Sequence, residues 1–426
     1  MRETKPSGVD WIGEIPSSWQ VAPLKYGASC SSDLSTYTAD DSKEFLALEN
    51  VESWTGRLVG LDERPDSVDS SVSVFSETDV LFGKLRPYLA KVCRPDFRGV
   101  CSTELLCISP MIYCCDYLFW LLISKGFIDV INAESYGVKM PRTSWAQMGA
   151  HYCPVPPLSE QQAIASHLDA ETAKIDQAMS LLRRELETLE QFKKSVIHEA
   201  VTKGLDPTVP MKHSGVEWIG DIPMNWEAKK LKVIANFGSG TTPDSGDYSY
   251  YDGGDIPWIQ SGDLYEAPRI SSTDKNVTAK AVRELSALSV YKAPFVVVAM
   301  YGASVGNTSL SAIDACMNQA CCYIQATRAA SNEYLFYAIT SAKSDLMSKA
   351  QGGTQPNISQ IVLKNQWVPC PPLVEQKRIV EALEQRLNDL DHAIIIKRSQ
   401  VNLLKQQRQA LIFEYVTGKR RVNEVA

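Results

Sequence analysis

Two stretches free of glycine and proline, residues 158–203 and 373–417, carry apolar side chains at heptad spacing. In the first, Leu168, Ile175, Leu182, Leu189 and Val196 recur every seven residues, with Met179 and Leu186 four places after Ile175 and Leu182. In the second, Leu383, Leu390, Leu404 and Leu411 stand on the same ladder, interrupted by Lys397, while Leu387, Ile394, Val401 and Tyr415 fill the alternate position. This period predicts coiled-coil helices. Each is opened by Pro-Pro and Leu-x-Glu-Gln (PPLSEQ, PPLVEQ), a helix-start signal. At 1.5 Å per residue each would run roughly 60 Å. A seam that long needs a cover, and each helix is expected to cover the other. Before each helix the pattern changes to short β-type runs, such as residues 79–82 and 295–299, among Gly/Pro/Asp/Ser turns. One helical segment is expected in each of these regions, near residues 115–127 and 332–346. This is α+β text.

The chain repeats itself. Residues 7–25 (SGVDWIGEIPSSWQVAPLK) match residues 214–232 (SGVEWIGDIPMNWEAKKLK) at 11 of 19 positions, at an offset of 207. PVPPLSEQ at 154–161 matches PCPPLVEQ at 369–376 at an offset of 215, so eight residues enter the middle of the second copy. Each half therefore has a similar opening, a divergent middle and a similar close, as a duplicated module with two specificities would. The paired tryptophans of the openings (Trp11 and Trp19; Trp218 and Trp226) read most simply as apolar anchors. The first helix leads into the second module, whose own helix must return to pair with it, which makes the pair antiparallel. Equivalent domains at the starts of antiparallel helices are expected at opposite ends of a rod, related by a pseudo-two-fold axis. Two readers so related suit half-sites about one DNA turn, ~34 Å, apart.

Composition narrows the class. With 426 residues, 44% apolar positions and a net charge of −7, the chain is globular and multi-domain. No apolar run approaches the ~20 residues that span a bilayer, so a cytoplasmic protein with no membrane contact is expected. Eleven cysteines without any C-x2-C pair, and five histidines without an H-x3-H pair, point to reduced, packed thiols and no metal site. Neither module is basic: residues 1–158 net −6 and residues 204–373 net −2. Phosphate neutralisation supplies most non-specific DNA affinity, so a chain of this charge is expected to bind DNA only weakly on its own.

The tandem openings GVDWIGEIP and GVEWIGDIP, the PPLxEQ helix starts, the GTTP turn with DIPWIQSGDL at 255–264, and the paired heptad segments together resemble the specificity subunit of type I restriction-modification systems. The resemblance covers nearly the whole chain. It implies an α+β architecture of two similar target recognition domains, residues 1–157 and 204–372, separated by spacer helices 158–203 and 373–417 in an antiparallel two-helix coiled coil, with a basic tail at 418–426. It implies a non-catalytic subunit without cofactors, each domain reading one half of a bipartite double-stranded DNA target. The helices would fix the spacer and dock methyltransferase (modification) subunits, with restriction/translocase subunits completing the complex.

The resemblance also points to loops after the apolar strands: Lys84, Arg86 and Tyr88 in the first copy, Tyr301, Gly302 and Ser304 in the second. Arginine can grip guanine O6/N7 in a fork, and lysine can neutralise phosphate. A further loop aligns at the 215 offset, 135–144 with 350–359, bringing Lys139 and Arg142 or Gln355 and Asn357. Thr103 and Glu104 align with Asn318 and Gln319, which suit cytosine and adenine edges respectively. Thr241 and Thr242 could contact sugar and phosphate, while the aromatics Tyr248, Tyr250, Tyr251 and Trp258 are more often core. Solvated strand-end charges and simple Gly-Pro turns are the plainer readings of most of these positions.

Enzymatic readings find no support. The Pro-Pro pairs read PVPPL and PCPPL rather than a methyltransferase loop, FGSGTTP at 237–243 lacks the third glycine of a cofactor turn, and neither a phosphate loop nor a PD…ExK spacing is present. The remaining alternative is a coiled-coil scaffold presenting two modules to protein ligands. The duplicated module on a two-fold favours a duplex over an arbitrary protein.

Overall fold

The computed structural model describes residues 3–422 except residues 32, 39–43, 63–66, 138, 266, 303 and 353–355. The chain folds into two compact units, residues 1–184 with 398–426, and residues 185–397. Their boundaries cut across the long helices, which run Leu158–Lys203 and Leu373–Val416. Each unit holds one module together with the start of its own helix and the end of the other.

The repeated opening and close of each module are similar because they pair with each other. Gln20–Pro23 lies antiparallel to Tyr152–Val155, with Pro23 opposite Tyr152, and Glu227–Lys230 lies antiparallel to Trp367–Cys370, with Lys230 opposite Trp367. The two-stranded ribbons Thr4–Pro6/Glu14–Pro16 and Met211–His213/Asp221–Pro223 precede them. The second tryptophan of each opening is buried, Trp19 at 1% and Trp226 at 0% exposure, and its indole N–H donates to the glutamate of the Leu-x-Glu-Gln helix start, Glu160 or Glu375, at 2.9 Å. A tryptophan is tolerated there because its one polar atom has a partner.

The middles are built on matching three-strand cores. In the first unit Ala28–Cys30, Leu105–Pro110 and Val80–Gly83 are antiparallel neighbours, extended by Val92–Cys93. In the second, Ala235–Ser239, Cys321–Ala326 and Phe295–Ala299 repeat that order, extended by Thr308–Ser311 and Arg269–Ile270. The strand expected at 79–82 begins at Val80 because Asp79 turns inward and accepts from Ser76 N–H at 2.7 Å and Ser109 Oγ–H at 2.6 Å. A second sheet completes each middle, four-stranded in the first unit and three-stranded in the second.

The helical segments expected near 115–127 and 332–346 are each broken in two. Cys115–Ile123 stops at Ser124, whose extended backbone starts Lys125–Ala133, and Asn332–Ser341 is followed by Lys343–Ser348 across Ala342. Both segments bury a tyrosine that holds the last turn of a long helix. Tyr117 donates to Val416 O at 2.8 Å, and Tyr334 to Val201 O and Pro369 O at 3.2 Å.

Within each unit the helices pair antiparallel. In the first, Asp176 meets Arg408 and the His167 ring packs at a tilt against Tyr415, centroids 4.5 Å apart. In the second, Glu185 meets Lys397 and Lys193 meets Asp391. Along the heptads Leu168, Met179, Val196, Leu383, Leu387, Ile394, Val401 and Tyr415 are buried, whereas Ile175, Leu182, Leu186, Leu189, Leu390, Leu404 and Leu411 are half-buried. A two-stranded seam leaves the flanks of its rungs in water.

The thiols fit the reading of small hydrophobes: eight of the eleven free cysteines are buried, and burial pushes Cys93 and Cys316 up to about 12. Among the described residues no helix is long and apolar enough to cross a membrane.

One titration is expected to matter for stability. His198 Nδ1 lies 3.1 Å from Ser341 Oγ, and burial, with Lys203 nearby, lowers its pKa. The unfolded imidazole, titrating near 6.5, then binds more protons than the folded one, so stability is present above that pH and lost as pH falls through the folded value. Thermal unfolding at pH 7.5 and 5.5 should show a smaller acid loss for His198→Gln than for the parent chain; equal losses would refute this.

Candidate nucleic-acid interface

In the first unit three loops are laced together at the end of the Val80–Gly83 strand. Lys84 N–H donates to Glu104 O at 2.9 Å, Thr143 N–H to Lys84 O at 3.0 Å, and Arg86 N–H to Pro141 O at 2.7 Å. Tyr136 and Arg142 exchange backbone bonds of 3.1 and 2.9 Å. Arg86 has φ 52° and Ala90 φ 45°, both left-handed, on either side of the short turn Pro87–Leu89. Such strain in non-glycine residues persists only where the surroundings impose it, here the Pro141 bond at one end and the close of the turn at the other.

The lacing gathers four cations. Arg142 Nη2 lies 3.1 Å from Glu104 Oε1, while Lys84, Arg86 and Lys139 have no carboxylate partner among the described residues. Arg86, Tyr88, Tyr136 and Lys139 are exposed, Lys84 and Thr103 half-buried. A domain of net charge −6 thus concentrates positive charge at one loop cluster.

The second unit repeats the lacing with other side chains. Met300 N–H donates to Ala320 O at 2.7 Å, Ile358 N–H to Met300 O at 2.9 Å, and Gln351 and Asn357 exchange bonds of 2.9 and 2.7 Å. Tyr301 bridges to Asn357 as Leu85 does to Arg142. These bonds correct the alignment of the third pair: Glu104 corresponds to Ala320, so Thr103 matches Gln319 and the shift is one residue. Gly302, with φ 80°, takes the place of Arg86.

Not every expected residue faces solvent here. Ser304 is 7% exposed and its carbonyl closes a turn on Asn307 N–H, so burial removes it from the interface. Gln355 lies outside the described residues. Tyr301, Gln319 and Thr242 are exposed, with Thr242 Oγ donating to Gln319 Oε1 at 2.6 Å, and Thr241 is half-buried. Asn318 accepts from Ala320 N–H and donates its own N–H to Ile259 O, a turn-forming role. Of the aromatics, Trp258 is core with Tyr250 and Tyr251 packed on it, while Tyr248 is exposed. Tyr136 and Gln351 went unnoticed in the sequence, although each stands at the 215 offset in the loop that carries Arg142 or Asn357. In the tail, Lys419 Nζ donates to Ile12 O at 2.7 Å, tying that basic residue to the opening.

Comparison with known proteins points to a family. Residues 223–398 match the type I restriction modification DNA specificity domain. A Methanocaldococcus jannaschii chain assigned as a type I restriction enzyme MjaX specificity subunit is 25% identical over 96% of this chain and 96% of its own. The type I restriction enzyme MjaIX specificity subunit of the same organism is 32% identical over 44% of this chain and 43% of its own. The EcoDI specificity subunit of Escherichia coli is 28% identical over 44% and 43%. A chain solved in work on complex assembly and conformational transition of the type I R-M system shares the fold, with a TM-score of 0.72 at 20% identity over 95% of this chain and 99% of that one. With its doubled opening and close, the chain carries a match to the type I restriction modification DNA specificity domain at residues 223–398 and is similar over nearly its whole length to a type I restriction enzyme specificity subunit.

Proposed function

We propose that each module reads one half of a bipartite double-stranded DNA target, and that the long helices set the distance between the halves and dock methyltransferase (modification) subunits. In this reading the chain performs no chemistry and uses no cofactor. Restriction/translocase subunits join the same complex. The division is 1–157 and 204–372 for the readers, 158–203 and 373–417 for the spacers.

The observation that carries the reading is the repeated three-loop lacing: one backbone scaffold built twice, decorated with cations in one unit and with amides and a tyrosine in the other. Backbone that is held while side chains differ is what two sequence readers of one ancestry require. The acidic net charge of both modules supports a division of labour in which partner subunits neutralise phosphates.

The test is to express the chain with its modification subunit and sequence methylated adenines across the host DNA. A single bipartite motif with a fixed gap is expected, and lengthening both long helices by one heptad should widen that gap. Scattered methylation, or a motif without a gap, would overturn the proposal.

A further inference from the structure

We propose that Arg142 reads a guanine in one half-site and that the residue in the same place in the other unit, Asn357, reads an adenine. This rests on the DNA-reading proposal above and assigns the bases to side chains.

Both residues follow a proline, Pro141 or Pro356, and both are pinned through the backbone in the same way. Arg142 exchanges two bonds with Tyr136 and bridges to Leu85; Asn357 exchanges two with Gln351 and bridges to Tyr301. A side chain that discriminates bases must start from a fixed Cα, and these positions have one.

The side chains differ in the way the two purines differ. Glu104 holds one end of the Arg142 guanidinium through Nη2 at 3.1 Å, and the rest of its planar fork is offered by a side chain that is 47% exposed. Two parallel N–H donors match guanine O6 and N7. Glu104 is itself fixed, its carbonyl accepting from Lys84 N–H and its N–H donating to Ser102 Oγ at 3.3 Å, so the carboxylate orients the fork. Asn357 carries a carboxamide with no side-chain partner among the described residues. One donor and one acceptor on one plane match adenine N7 and N6. The surroundings follow suit: Lys84 and Arg86 flank Arg142, whereas Met300 and Gly302 occupy their places near Asn357.

The experiment uses the complex of the full chain with its modification subunit and DNA libraries randomised in both half-sites. The parent complex should demand G·C at one position of one half and A·T at one position of the other. Arg142→Lys keeps the charge and loses the fork; it should cut the preference for G·C at that position by about tenfold or more and leave the other half untouched. Asn357→Ala should do the same for A·T in its half, and Arg142→Asn should move the first preference from G·C towards A·T.

Binding that weakens equally for all sequences in Arg142→Asn, or base preferences unchanged in Arg142→Lys and Asn357→Ala, would overturn the assignment while the bipartite reading stood. A parent complex with no bipartite preference would remove both. Circular dichroism melts of each variant separate a lost fold from a lost contact.

Discussion

Gln376→Leu is expected to loosen the second long helix from its domain, costing about 3 kcal/mol or more. Gln376 is fully buried and saturates three backbone groups: its Oε1 accepts from Ser331 N–H at 2.9 Å, and its Nε2 donates to Ala329 O at 3.1 Å and Pro371 O at 2.8 Å. Leucine is nearly the same size but satisfies none of them, and each orphaned buried group costs about 1–3 kcal/mol. Gln161 makes the same three bonds in the first unit, accepting from Cys114 N–H and donating to Ile112 O and Pro156 O, so Gln161→Leu should cost a similar amount there. Gln385, exposed on the same helix as Gln376, supplies the control; Gln385→Leu should stay within about 0.5 kcal/mol. A multi-domain chain need not unfold in one step, so the measurement is hydrogen exchange of the Asn332–Ser341 helix that follows Ser331. Unchanged protection in Gln376→Leu would show that the glutamine is dispensable.

That glutamine shows what the sequence could and could not disclose. Leu-x-Glu-Gln was legible as a helix start, because acidic and amide residues favour first turns. Its second role, with Glu375 receiving Trp226 and Gln376 stitching the turn at Ala329 and Ser331, depends on residues 45 to 149 places away and leaves no local signal. The heptads were legible for the opposite reason: a periodic seam repeats its message at every rung. The duplicated ends were visible as a repeat, but only the strand register shows that each opening pairs with its own close.

The middles were harder. Phe295–Ala299, a run of five buried residues, stood out, whereas Ser67–Phe75 alternates small polar residues with valine and carries little contrast. The helix near 115 could not be cut at Ser124 from periodicity, since Phe127, Ile128 and Ile131 resume an apolar face soon after the polar Ser124 and Lys125. At the candidate interface the loops were found through glycine, proline and the repeat offset. The one-residue slip between Glu104 and Ala320 escaped because this part of the middle runs at an offset of 216, one more than the close shows, and matching the ends cannot reveal an extra insertion that a later deletion cancels.

Arg408 occupies a seam position that the apolar ladder skips, and Arg408→Ala is expected to destabilise the first unit by about 3 kcal/mol. Its side chain is 6% exposed. Nε lies 3.1 Å from Asp176 Oδ1, Nη1 donates to Trp54 O at 2.7 Å, and the guanidinium packs 5.7 Å from the Trp120 ring centroid. Burial lowers its pKa despite the opposing charge of Asp176, so desolvation outweighs the attraction. Removing the arginine leaves Asp176, 17% exposed, without its cation and leaves Trp54 O without its donor. The repeat supplies an internal control, because Lys193 and Asp391 stand at the 215 offset from Arg408 and Asp176 and pair likewise, but at 25% and 43% exposure. Water screens that pair, and Lys193→Ala should cost about 1 kcal/mol or less. Replacing both partners, Arg408→Met with Asp176→Leu, removes the desolvation cost along with the attraction and should recover most of the stability lost in Arg408→Ala. A double-mutant cycle by urea unfolding, read at the tryptophans of the first unit, measures the coupling. Equal losses for Arg408→Ala and Lys193→Ala would mean that burial is not what distinguishes the two copies.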